Sequence, residues 1–115
     1  GFAMATLSNI FIDQDATFST TVTVNDSTGS ALDLTGYTAV AQIRKTYLSS
    51  TATSMTVTFN ADRTTGKIDL SLTATQTGAL KAGRYVYDLS ITTSDSSTTT
   101  RVVEGIATVN PSVSR

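Results

Sequence analysis

The stretch Gly83-Arg84-Tyr85-Val86-Tyr87-Asp88-Leu89-Ser90-Ile91 alternates so regularly that few folds can accommodate it. Side chains of an extended chain point alternately to opposite sides. Tyr85, Tyr87, Leu89 and Ile91 therefore share one face, and Val86, Asp88, Ser90 and Thr92 take the other. A helix, with its period of 3.6, would scatter both sets. The segment reads as a central strand, half buried in an antiparallel sheet and entered through the turn Ala82-Gly83. Its Tyr85, Tyr87 and Leu89 are expected in the core.

The same period recurs along the chain. Phe18, Thr20, Val22 and Val24 oppose Thr17, Ser19, Thr21 and Thr23, and Tyr37, Ala39, Ala41 and Ile43 oppose Thr38, Val40, Gln42 and Arg44. Met55, Val57 and Phe59 form one inward set and Ile68, Leu70 and Leu72 another; Ala61 to Gly66 joins these two strands into a hairpin. Asn9-Ile10-Phe11-Ile12 reads as an edge strand, and Leu32 and Leu34 as a cap on the end of the core. Thr73 to Lys81 lacks the period. It holds the one short helical turn, near residues 74–80, with Thr73 or Thr75 as its cap and Leu80 closing the core beneath it. The last strand, Thr100 to Val109, should lie antiparallel to the one containing Tyr85. Its Val102, Val103, Ile106 and Val109 keep no single parity, which places a bulge at Gly105 or apolar contact on both faces.

Turns every eight to twelve residues between such strands predict an all-β protein, an immunoglobulin-like antiparallel β-sandwich of about seven strands. A chain of 115 residues supports one two-layer core. Residues 4–111 are assigned to that single domain, Gly1-Phe2-Ala3 before Met4 to a cloning remnant, and 112–115 to a tail.

Composition narrows the chemistry. The 24 Thr and 14 Ser supply polarity to outward faces in place of charge, which is confined to 15% of residues. A net charge of −1, without a basic cluster, gives no field to gather nucleic acid or anionic lipid. No apolar run approaches the roughly 20 residues of a membrane helix. Cys and His are both absent, so thiolate nucleophiles, zinc-thiolate sites and the commonest general base are excluded, and no metal or cofactor is expected.

Three charged pairs are candidate sites. Asp13 and Asp15 lack the further oxygen ligands and the glycine of a calcium loop and read as a solvated turn. Arg44 and Lys45 are adjacent on a strand end, so they point apart and read as rim. Asp69 and Asp88 are the best carboxylate pair for hydrolysis, yet both fall on outward parities. The reading is that of a protein that is not an enzyme.

The run Thr65-Gly66-Lys67-Ile68-Asp69-Leu70-Ser71-Leu72, followed by Thr77, Leu80, Gly83, Tyr85, Tyr87, Asp88 and Leu89 and then Arg101, Val102, Gly105, Val109 and Pro111, resembles a small immunoglobulin-like domain of tailed-phage structural proteins. It is similar in particular to the sandwich at the N-terminus of baseplate upper proteins and related cyanophage virion proteins. Phe18 to Val24, Leu34-Thr35-Gly36-Tyr37 and Gln42-Ile43-Arg44 fit the same pattern, so the similarity spans nearly the whole chain. The resemblance implies a virion location and a structural role as an assembly or attachment module of a tail, baseplate or fibre. It also implies other phage structural proteins as partners and a homo-oligomer, with threefold symmetry favoured. Capsid decoration is an alternative position. No catalytic residues accompany the family.

Two places are expected to meet a partner. Val102 and Ile106 lie opposite Val103 and Val109, so one set should be left for a neighbour. Tyr47 and Leu48 sit in the least specified loop, Thr46 to Thr53, where a carbohydrate or host-surface binding domain would put a stacking aromatic. The absence of Trp weighs against that alternative.

Overall fold

The computed structural model describes residues 4–5, 9–46 and 52–112. Its elements are β1 (Met4–Ala5), β2 (Asn9–Asp13), β3 (Phe18–Asn25), β4 (Thr38–Arg44), β5 (Thr53–Phe59), a 3-10 turn (Arg63–Thr65), β6 (Lys67–Leu72), α1 (Ala74–Ala79), β7 (Gly83–Thr92) and β8 (Thr99–Asn110). All eight strands belong to one sheet in the order β1-β3-β6-β5-β4-β7-β8-β2. The protein is all-β, as the alternation requires.

The sheet folds over at β5. Thr53 to Met55 pair with Ile43 to Ala41 of β4, and Thr56 to Phe59 pair with Ser71 to Ile68 of β6. One half of the sheet is then β1-β3-β6 with the end of β5, and the other is the start of β5 with β4-β7-β8-β2. The halves enclose a single core to which both contribute, and β1 returns beside β8, so the sheet nearly closes on itself.

Strand β7 pairs with β8 along its whole length and with β4 from Val86 to Thr92. Tyr87, Leu89 and Ile91 are buried, at 1%, 0% and 2% exposure. Burial pushes the Tyr87 phenol up to about 12, so it stays uncharged throughout the neutral range. Tyr85 is only half buried, because it stands at the strand entrance, where its hydroxyl donates to the Lys81 carbonyl at 2.8 Å and its ring lies under Lys45 Nζ.

Two expectations need correction. The sheet is mixed, not wholly antiparallel, because β2 runs parallel to β8 with Ile10 beside Ala107 and Ile12 beside Val109. The N-terminal segment divides its pairing: β1 adds to β3 in one half, and β2 then crosses to the edge of the other. Side-chain parity is blind to strand direction, so nothing in the alternation could report this. The bulge lies at Val102, not at Gly105: Leu89 faces Val103 and Ser90 faces Arg101, leaving Val102 as the extra residue. The extra residue lets Val102 and Val103 both turn inward, at 7% and 4% exposure. Gly105 instead keeps register opposite Tyr87.

Local chemistry fixes the connections. α1 begins with a capping box, in which Thr73 Oγ1 accepts from Gln76 N and Gln76 Oε1 accepts from Thr73 N. The β5–β6 turn ends at Gly66, whose φ of +69° and whose position 2.4 Å from the Val24 carbonyl oxygen, measured from where a Cβ would sit, admit no side chain. Leu34 is fully buried and Leu32 packs against the core, closing this end as expected.

Replacing Leu89 by Ala should cost about 2–5 kcal/mol in chemical denaturation. Thr58→Ala, on an outward face of β5, should stay within about 0.5 kcal/mol of the parent. Equal effects would remove Leu89 from the centre of the core.

Candidate functional site

Because both halves turn their apolar residues toward one core, the molecule offers two outer faces, and these differ in chemistry. On the β3-β6-β5 half the outward rows run Ser19-Ser71-Thr56, Thr21-Asp69-Thr58 and Thr23-Lys67. The face is almost entirely hydroxyl, and Thr21 Oγ1 donates to Asp69 Oδ1 at 2.6 Å. No large apolar side chain is exposed there among the described residues.

The other outer face carries all three exposed large apolar side chains found among the described residues: Phe11 at 67%, Val40 at 57% and Ile106 at 38%. Registers arrange them. Ile106 lies between Asn9 of β2 and Val86 of β7, and Val86 pairs on with Arg44 of β4. Phe11 pairs with Thr108 and so stands diagonal to Ile106, within reach of a large side chain. Along the strands, one neighbouring row holds Glu104, Asp88 and Gln42, and the opposite row holds Phe11, Thr108 and Arg84. Arg101 bridges the acidic row, with Nε 3.5 Å from Asp88 and Nη1 3.3 Å from Glu104. These contacts lie at or near the surface and contribute little to stability. Val40 stands apart, opposite Ser90.

The expected interface residues separate on this basis. Ile106 is exposed at the centre of the apolar strip, whereas Val102 is absorbed into the domain's own core by the bulge. Tyr47 and Leu48 lie outside the described residues. Phe11 and Val40 were missed as surface features. The signal was present, since each is an apolar residue on the polar parity of its strand, between Ile10 and Ile12 in one case and between Ala39 and Ala41 in the other.

The charged pairs fall apart. Asp69 and Asp88 stand on opposite outer faces with the core between them, so no acid and base converge. Arg44 reaches Gln42 along its strand while Lys45 covers the Tyr85 ring. Asp13 accepts from Asn110 Nδ2, and Asp15 adopts φ +64° in the turn that follows. Among the described residues no three His, Cys, Asp or Glu side chains gather as a metal site requires, and no helix is long and apolar enough to cross a membrane.

Among the described residues, many polar groups at the two ends of the molecule are bonded within their own loops. At one end, Asp26, Asp33, Asp62 and Asp95 each accept from the backbone N–H and the hydroxyl of the Thr or Ser two residues on. Those hydroxyl bonds lower Asp26, Asp33 and Asp62, and Asp95 is lowered to about 2 first by the Thr93 hydroxyl and then by the Ser97 bonds. Arg63 ties the same end together by donating to the carbonyls of Leu34 and Tyr37 while lying on the Phe59 ring. At the other end, the buried Thr77 hydroxyl is shared between the carbonyls of Ala16 and Ala74, and the Gln14 amide joins Leu80 O to Ser112 N. These groups are spent on the loops themselves.

Comparison with protein-family models and with curated proteins gives no match to this chain. The outer face of β4-β7-β8-β2 is therefore singled out by its own chemistry alone, as the face with the exposed large apolar side chains found among the described residues.

Asp95 supplies a pH test. Its carboxyl is lowered from 3.8 in the folded chain, so its stabilising bonds are complete above 3.8 and are lost as pH falls through about 2. In thermal melts, the parent's advantage over Asp95→Asn should be constant at neutral pH and vanish across that window. An advantage independent of pH down to 2 would contradict it.

Proposed function

We propose that this chain is a non-enzymatic structural module of a tailed-phage virion, an immunoglobulin-like sandwich that joins its neighbours through the outer face of β4-β7-β8-β2. The observation that carries the functional part is the asymmetry of the two outer faces. Hydroxyls cover one, and Phe11, Ile106 and Val40 interrupt the other. Exposed apolar side chains gathered on one face fit a surface that another protein covers.

Topology supports the sandwich reading. Taking β1, β3, β6 and the end of β5 as one layer gives the order A-B-E-D, and β2, β8, β7, β4 and the start of β5 give A′-G-F-C-C′, with the A′ strand parallel to G. Tyr85 adds a second feature of such domains. It opens the F strand, two residues before the core-filling Tyr87, and its hydroxyl bonds back to the chain four residues upstream, as in a tyrosine corner. The residues that carry the resemblance to phage virion domains occupy these structural positions: Gly66 at the crowded turn, Tyr85 at the corner, and Leu89 and Val109 in the core.

Mass spectrometry of purified particles, with immunogold labelling, tests the role. The chain should be present in repeated copies and labelled at one place on the particle. Its absence from purified particles would end the structural-role reading.

A further inference from the structure

The charges around the apolar strip are arranged so that the face complements itself, and from this we infer that its occupant is a second copy of this chain, packed face to face with strand directions reversed. The inference rests on the preceding assignment of that face as the docking surface and adds the identity and geometry of its partner.

The pattern is simplest on β7, where Arg84, Val86 and Asp88 follow one another on the outer face. A cation lies on one side of the apolar centre and a carboxylate on the other. The neighbouring β8 repeats half of this, with Glu104 beside Asp88, Ile106 beside Val86 and the neutral Thr108 beside Arg84. Turn a second copy about an axis running across the strands, along the Ile106-Val86 row. The apolar centres then meet, Arg84 of each copy comes over the Asp88-Glu104 pair of the other, and Arg44, half buried and bonded to Gln42 at the end of the same row, makes a like-charged meeting with its own copy on the axis. Each favourable contact occurs twice, as a twofold interface requires. In the alternative orientation, with strands parallel, carboxylates would lie over carboxylates.

Two features make these charges available. Arg84 is exposed and makes no ion pair among the described residues. Among the described residues, two carboxylates, the mostly covered Asp88 and the exposed Glu104, have Arg101 as their shared ion-pair partner. The hydroxyl face offers no such choice, because its Asp69 is already bonded by Thr21 and no apolar centre lies beside it. This pairing is twofold, in place of the threefold arrangement that the family resemblance implies.

Sedimentation equilibrium up to high micromolar concentration, with a charge exchange, tests the proposal. The parent should form dimers. Arg84→Glu and Glu104→Arg should each weaken dimerisation at least about tenfold, and the double variant should recover to within about threefold of the parent. Both side chains are exposed, so thermal melts should show all variants folded. Because the chain contains no cysteine, a mixture of Arg84→Cys and Glu104→Cys chains gives a second measurement: oxidation should yield dimers linking one of each. A parent that stays monomeric, single variants without effect, or a double variant no better than the singles would overturn the self-pairing. A monomeric parent found in purified particles would defeat only this inference, whereas a dimer absent from particles would defeat only the virion role.

Discussion

Burial of Tyr87, Leu89 and Ile91 on β7 is the contact on which the remaining architecture depends. The strand is flanked on both sides, so its inward residues lie at the middle of one half of the sheet, and something apolar must cover them. The fold supplies that cover from the same sheet, by carrying β5 from β4 across to β6 and bringing Ile68, Leu70, Val22 and Val24 over the β7 side chains. Once one face of every strand is committed inward, the sheet itself has its outer faces left to offer. The hydroxyl-rich composition then acquires a meaning: on one side it keeps a sheet wet with Asp69 and Lys67 as the charged members of its rows, and its interruption on the other side becomes a signal.

Much of this was legible in the residues because parity is a strong local rule. Core assignments for Tyr87 and Leu89, the hairpin of β5 and β6, and a helical turn within 74–80 capped at Thr73 all follow from spacing and from cap chemistry. What parity omits is partner and direction. It could not report that β2 lies parallel to β8, nor that β1 and β2 serve different halves of the sheet. The bulge failed for a related reason. Glycine drew attention to position 105, but a bulge needs only one extra residue, and the adjacent Val102 and Val103 both gain by turning inward.

The proposed docking face was half legible. Ile106 was expected at the surface and is there; Val102 was expected beside it and is buried by the bulge. Phe11 and Val40 were hidden inside apolar runs, where an exposed residue between two buried ones looks like continuous core unless its parity is weighed. The loop carboxylates show the opposite hazard. Four aspartates gathered at one end look like a binding cluster in space, yet each is occupied by its own Thr or Ser two residues on.

The central claim is that the two outer faces have different fates, one covered in the assembly and one left in water. Hydroxyl-radical footprinting of the chain in purified particles, compared with the isolated chain at low concentration, tests this most directly. The account predicts protection at Phe11 and Ile106, with Thr21, Thr56 and Thr58 unchanged. Protection of the hydroxyl face, with Phe11 and Ile106 still reactive, would contradict it.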